Sequence, residues 1–260
     1  MRKTTLRILC SLIITAGAFA SGGKEADAAQ SGPRVVASSS WTAAFIRETG
    51  FNGDITVLAP ADYRHPSEYE LLPSQTVELL DADFFVYAGY EAVAKKIADG
   101  GLSTNGTGIR IATVNTSAVF GKSIPELAAY FGSGEKAAES VAALDAVVSR
   151  TARIFADSGL SELPVVCHLF LKDMAVEMGF NVVGTFGPAP PTPAALKALA
   201  NASGALIIDN WHVDTGAAVS AVLPDTPRAL CINFPGHAGT ATLADVLVFN
   251  RKQILAAMER

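Results

Sequence analysis

The segment RHPSEYELLPSQTVELLDADFFVYAGYE, residues 64–91, runs from a polar loop through a helix pattern into a strand pattern. The loop carries His65, and the strand pattern is the apolar run at 83–87. Helical spacing of apolar residues followed by a short aromatic and β-branched run is typical of a helix that leads into a buried strand. The segment therefore predicts an α/β unit with a histidine in the loop that precedes its helix.

The same alternation continues in both directions and gives two blocks of four strands. The candidate strands are 34–38, 54–58, 83–87 and 109–113 in the first block, and 164–168, 181–185, 205–209 and 229–233 in the second. Helix patterns fit at 40–49, 74–81, 92–100, 169–178, 192–201, 215–222 and 242–259. Strands that alternate with helices form mostly parallel sheets. We therefore expect an α/β protein with two Rossmann-like lobes.

Between the blocks, residues 134–157 contain no proline, and their apolar residues recur at helical spacing. We expect this stretch to form one long backbone helix that joins the lobes and holds them at a nearly fixed angle. The predicted division is a signal peptide at 1–20, a flexible leader at 21–33, an N-terminal lobe at 34–133, a connecting helix at 134–158 and a C-terminal lobe at 159–260.

The first twenty residues have the features of a secretory signal peptide. Three cationic residues precede an apolar run at 8–19, and the small residues Ala18 and Ala20 suit a cleavage site. The run is too short to span a bilayer. We therefore expect a periplasmic or otherwise extracytoplasmic protein.

Composition limits the remaining classes of function. Half of the residues are hydrophobic and 17% are charged, which is ample material for buried cores. Removal of residues 1–20 leaves 17 basic and 25 acidic residues, so nucleic acid is not an expected partner. Only Cys167 and Cys231 then remain. This excludes a disulfide scaffold and favours two core thiols, although a single bridge between them stays open.

Four segments resemble zinc- and manganese-binding solute-binding proteins of ABC importers, the cluster A-I type. HPSEYELLPSQ at 65–75 resembles the family motif Asp-Pro-His-x-Tyr-Glu-Pro-x-Pro-Ser-Asp, and LDADFFVYAGYE at 80–91 is similar to the strand and turn that follow it. VVCHLF and MGFNVVG, within 165–184, are similar to its His-x-Ala-Phe and Tyr-Gly-Leu-x-Val segments. The resemblance covers nearly the whole mature chain. It implies two α/β lobes joined by one helix, a divalent metal ion as ligand and a membrane permease as partner.

The resemblance carries over only part of the family's metal site. The first family histidine falls on Ser67, with His65 in place of the family's aspartate, and the second would lie in 114–122, which contains no histidine. The third matches His168. The fourth, an aspartate, meets Asn233 or the residue after it. One of the four family ligands is therefore retained in place.

The other histidines lie near the expected site loops, and this indicates a rearranged metal site. Ligands of parallel sheets bind beyond the carboxyl ends of the strands, and imidazole is a common ligand for divalent transition metals. We therefore predict a zinc or manganese site formed by His65, His168, His212 and His237. Asp209, at the end of a strand, would be a further ligand or would orient a histidine.

A purely structural interpretation of the same residues stays open. His65 and His237 would then be solvated loop residues, and His212 would pack beside Trp211. Asp209 would cap a helix. For His168, where position and residue type both match the family, we favour a ligand.

The sequence thus predicts a non-enzymatic, monomeric solute-binding protein that captures zinc or manganese and delivers it to an ABC permease. One alternative is a small organic ligand or metal chelate, such as a siderophore, haem or corrinoid, in the same cleft. The aromatic residues expected to contact it are Trp41, Tyr63, Tyr69, Trp211 and Phe234. A metal-dependent hydrolase is a weaker alternative, because the chain contains neither Gly-x-Ser-x-Gly nor His-Glu-x-x-His.

Overall fold

The computed structural model describes residues 32–101, 104–131, 133–213 and 215–259. The predicted signal peptide and nearly all of the leader lie outside the described residues. Within them, the chain forms two four-stranded parallel sheets with helices between the strands, which confirms the predicted α/β architecture. No helix in the described ranges has the length and apolarity needed to cross a membrane.

The N-terminal sheet has the strand order β2-β1-β3-β4. Its strands are β1 (Val35–Ala37), β2 (Ile55–Val57), β3 (Phe84–Tyr87) and β4 (Thr107–Arg110). The accompanying helices are α1 (Ser40–Glu48), α2 (Pro73–Leu80), α3 (Ala92–Ala98) and α4 (Ser117–Phe131). A hydrogen-bonded capping box of Ser39 and Thr42 begins α1 directly after β1.

The C-terminal sheet repeats this topology in the order β6-β5-β7-β8. Its strands are β5 (Pro164–His168), β6 (Asn181–Phe186), β7 (Leu206–Asn210) and β8 (Arg228–Cys231). The helices are α6 (Lys172–Glu177), α7 (Pro193–Asn201), α8 (Gly216–Val222) and α9 (Leu243–Met258). In both sheets the order reverses between the first and third strands. Such a reversal opens a crevice at the carboxyl ends of the strands.

Helix α5 (Gly134–Asp157) joins the two sheets without a break over 24 residues. It packs against α1 and α4 on the N-terminal side and against α9 on the C-terminal side. Its buried face consists of Ala137, Leu144, Val148, Thr151 and Phe155. These contacts make one hydrophobic core that continues from one sheet to the other. The predicted long backbone helix is therefore present.

The exact division of the chain at residues 34, 134 and 159 stays a prediction, because Gly32–Arg260 forms one compact unit. Individual helices differ more clearly from the prediction. Helix α4 was not predicted, and the predicted helix at 169–178 is a short 3-10 turn, Leu169–Leu171, that continues into α6. Cys167 and Cys231 are buried and unpaired, in agreement with core thiols.

Candidate ligand-binding cleft

A cavity of about 510 Å³ lies where the carboxyl ends of the two sheets face each other. Residues that follow seven of the eight strands line it; only the loop after β6 makes no contribution. The lining residues are Trp41, Arg64, His65, Pro66, Ser67, Tyr90, Thr113, Val114, Leu169, Phe170, Lys172, Asp173, His212, Val213, Asn233 and Phe234. The position agrees with the general rule for ligand sites in parallel sheets.

A chain of hydrogen bonds connects the lobes beside the cavity. Trp41, in the first turn of α1, donates from Nε1 to Oδ1 of Asn115 at 3.2 Å, and Asn115 Nδ2 donates to the carbonyl of Asn233 at 2.8 Å. Trp41 also packs against Phe234, with ring centroids 5.9 Å apart. Asn115 lies in the segment where the resemblance places the second family histidine, and Asn233 is one candidate for its fourth ligand. A chain of hydrogen bonds through Asn115 therefore connects two positions at which the family has ligands.

Arg64 adds a fixed positive charge to the cavity wall. Its guanidinium lies over the Trp211 ring, 4.6 Å from the ring centre, and Nη2 donates to the Trp211 carbonyl. These contacts attach the loop after β2 to the loop after β7. The Arg64 Nε atom is buried and has no hydrogen-bond partner among the described residues.

His212 is the most deeply buried histidine of the cavity wall, with 1% of its surface exposed. Its ring stacks on Phe234 with centroids 3.5 Å apart, and Nδ1 accepts a weak, 3.5 Å hydrogen bond from the Asn233 amide. Nε2 is buried without a partner within the part of the chain that the structure describes. Burial, followed by the charges of His237, Arg64 and His65, lowers the pKa of His212 to about 3. The ring is therefore neutral at neutral pH, as a metal ligand requires.

His65 lines the same cavity from the N-terminal side and is exposed. It lies at the start of a short 3-10 turn, Pro66–Glu68, whose first residue is buried. The loop after β2 thus brings Arg64, His65 and Ser67 to the cavity wall. The structure therefore places two of the four predicted histidines, His65 and His212, on one cavity.

His168 is not among the residues that line the cavity. Its ring is fully buried against Phe170 and Phe186, and its Nδ1 accepts the Phe170 amide proton at 3.2 Å. Any side chain at Gly187 would collide with its Nε2 atom. Burial lowers the pKa of His168 to about 4. The retained family histidine therefore packs inside the C-terminal lobe.

The other two predicted ligands also have structural partners. His237 stacks on Trp211 at 3.8 Å, and Asp209 is fully buried in an ion pair with Arg228. Across the described ranges, no group of three or more His, Cys, Asp or Glu side chains is arranged to hold a metal ion. The described residues therefore do not bring His65, His168, His212, His237 and Asp209 together as one group, and the five-residue site stays a prediction.

Sequence reasoning also missed residues in the cavity wall and beside it. Arg64 directly precedes His65, so its position could have been inferred from the same loop. The role of Asn115 had no sequence signal, since its partners are distant in the chain. Of the aromatic residues expected in the cleft, Trp41 and Phe234 line the cavity.

Comparison with known proteins gives a fold but no close relative. No family model matches the sequence, and no match was found among curated protein sequences. The laminin-binding protein Lmb of Streptococcus agalactiae, described as bifunctional with adhesin and metal-transporting activity, has a similar structure. The TM-score is 0.69 at 15% identity, over 87% of this chain and 100% of that one.

Two further solved structures have the same architecture. A manganese-bound periplasmic metal-binding protein of Candidatus Liberibacter asiaticus gives a TM-score of 0.65 at 12% identity, over 86% of this chain and 98% of that one. The laminin-binding protein Lbp of Streptococcus pyogenes gives 0.66 at 14% identity, over 85% and 98%. The chain therefore has the two-lobed fold of these proteins.

Proposed function

We propose that this chain is an extracytoplasmic solute-binding protein that captures a divalent transition metal, zinc or manganese, in the cleft between its lobes. It hands the metal to an ABC permease in the membrane. It acts as a monomer and catalyses no reaction. The similar structures support this proposal at the level of the fold, because their descriptions include metal binding and metal transport.

The observation that carries the proposal is the position of two imidazoles on one cavity. His65 comes from the N-terminal lobe and His212 from the C-terminal lobe, and both line the space between the sheets. A ligand that is bound by one group from each lobe stabilises the conformation in which the two lobes contact each other. Imidazole nitrogen is a common donor for zinc, and it also binds other divalent transition metals.

A third donor is available on the same wall. The Oδ1 atom of Asn233 is buried and has no hydrogen-bond partner within the described ranges. A buried polar atom without a partner is costly, and a metal ion would satisfy it. His212 can present Nε2 to the metal once its ring proton moves to Nδ1, which sacrifices only the 3.5 Å contact with the Asn233 amide. The proposed donor set is therefore His65, His212 and Asn233.

This donor set predicts the effect of removing one imidazole. We expect the His212→Ala variant to bind zinc and manganese at least roughly a hundredfold more weakly than the unmodified chain, because loss of a residue that only orients a ligand already costs about ten- to a hundredfold. The measurement is calorimetric titration of the untagged, metal-free mature protein. Elemental analysis of protein purified from its exported form, without chelator, shows whether metal is retained.

The His237→Gln variant is the matched control, since His237 stacks on Trp211 and is not a cavity-lining residue. Its metal affinity should stay close to that of the unmodified chain. Retention of neither zinc nor manganese, together with no heat of binding for either metal, would refute the proposed function. Equal losses in both variants would show that the cavity is not the metal site.

A further inference from the structure

The cavity has an unusual charge for a site that takes a divalent cation. Arg64 lines it, and among the described residues no salt bridge to Arg64 is formed. Lys172 and Asp173 are neighbours on the exposed side of the wall, where their opposite charges offset each other. The donors proposed above are all uncharged. A bare cation would therefore meet a fixed positive charge, and among the described lining residues the only carboxylate is that of Asp173, whose charge the adjacent Lys172 offsets.

The size and the walls of the cavity point to a ligand larger than an ion. Its volume of about 510 Å³ lies within the range of sites for small organic molecules. Four aromatic residues are among those that line it, Trp41, Tyr90, Phe170 and Phe234. Such walls bind hydrocarbon and flat conjugated groups, and of the four side chains only Tyr90 carries an oxygen that could contact a metal.

The number of donors leads to the same conclusion. Two imidazoles and one amide oxygen leave a transition metal with open coordination positions, because zinc takes four ligands and other ions more. A chelator that binds the metal on its other side would fill these positions. If that chelator bears carboxylates, its excess negative charge complements Arg64, whose guanidinium suits a carboxylate.

We propose that the cleft takes the metal as an anionic complex with a small polycarboxylate chelator. The imidazoles of His65 and His212 complete the coordination of the metal, Arg64 binds a carboxylate of the chelator, and the aromatic wall covers its hydrocarbon part. This inference rests on the proposed function and specifies the form in which the metal is carried. The binding involves no redox step and no covalent bond to the chelator.

The test uses the 1:1 complex of zinc with nitrilotriacetate as the probe. This complex has a net negative charge, carries carboxylates, and leaves coordination positions for imidazoles. The untagged mature chain is titrated with the complex, with free nitrilotriacetate and with zinc alone. We expect the complex to bind at least about tenfold more tightly than either component.

Arg64 provides a variant that separates the two kinds of ligand. In Arg64→Gln we expect the complex to bind about tenfold more weakly, while the affinity for zinc alone is unchanged or increased because a repulsive charge is lost. Arg64→Lys keeps the charge and should retain more of the affinity for the complex. Arg150→Gln, an exposed change on α5, is the matched control and should affect neither ligand.

Three results would overturn the inference. If zinc alone binds as tightly as the complex, the cargo is the bare ion, and the proposed function stands without the chelator. If free nitrilotriacetate binds as tightly as the complex, the site is one for organic anions. If Arg64→Gln reduces binding of the complex no more than Arg150→Gln does, Arg64 has no part in recognition. If neither zinc alone nor the complex binds, the proposed function is refuted as well.

Discussion

The four histidines lie in four different environments, although each follows or approaches the end of a strand. His65 is exposed on the cavity wall, His212 is buried in it, His237 stacks on Trp211, and His168 is enclosed within the C-terminal lobe. The residue sequence indicates which loop carries each histidine. It does not indicate which way each imidazole ring points or what surrounds it, because that depends on contacts with residues distant in the chain.

His168 provides a prediction at this scale, because it is buried as a neutral ring. Its pKa is lowered by burial to about 4, whereas an unfolded histidine titrates near ~6.5. Between these values the unfolded chain binds a proton that the folded chain does not, so stability falls as the pH falls. We expect His168 to account for a loss of about 1–2 kcal/mol in the free energy of unfolding between pH ~7.5 and ~5.

The measurement is urea denaturation at the two pH values for the unmodified chain and for His168→Asn. Asparagine keeps an acceptor near the position of Nδ1 for the Phe170 amide but cannot titrate. The variant should therefore be less stable at neutral pH and lose less stability on acidification. An unchanged difference between the two pH values would mean that His168 does not contribute to the acid sensitivity.

At the scale of elements, hydrophobic periodicity predicted all eight strands within a few residues, because most of the parallel strands are short apolar runs. It missed α4, whose sequence contains Gly121 and Pro125. Proline removes a backbone hydrogen bond within a helix. Burial of Phe120, Ile124 and Leu127 on one face nevertheless stabilises α4. Tertiary packing of this kind cannot be recognised from a local pattern.

The beginning of α4 also has a partner that no local pattern shows. Glu177, the last residue of α6, accepts hydrogen bonds from the Ser117 amide with both carboxylate oxygens, at 3.0 and 3.2 Å. A carboxylate at a helix N-terminus satisfies an unpaired amide and interacts favourably with the helix dipole. In this protein the carboxylate comes from the opposite lobe, so the cap also connects the lobes.

We expect Glu177→Ala to lower the free energy of unfolding by about 1 kcal/mol, and Glu177→Gln to lower it by less because an acceptor remains. Chemical denaturation at neutral pH measures both. The control is Glu126→Ala, an exposed position within α4 itself. If Glu126→Ala costs as much stability as Glu177→Ala, the cap across the lobes contributes nothing.

At the scale of the whole molecule, the fold follows from the repeat of one topology on either side of α5. The carboxyl ends of both sheets meet at the cavity, and this position was predictable from the parallel connections alone. The chemical character of the cavity was less predictable. It depends on Arg64 and Asn233 in the wall and on Asn115, which binds the Asn233 carbonyl from beside it. Each of these residues is uninformative singly and acquires its role only when the two lobes are brought together.

The continuous core through α1, α4, α5 and α9 predicts that the lobes move little when ligand binds. A large hinge motion would have to bend α5 or separate its contacts with α4 and α9, and both changes expose buried apolar surface. We expect a radius of gyration of about 18 Å for the mature chain, unchanged within error on addition of the zinc complex. Small-angle scattering measures this value.

The Ala143→Pro variant, which interrupts α5 at an exposed position, should have a larger radius of gyration, whereas Ala143→Ser should not. A contraction of the unmodified chain on binding would show that the cleft closes by a hinge and that α5 does not fix the angle between the lobes.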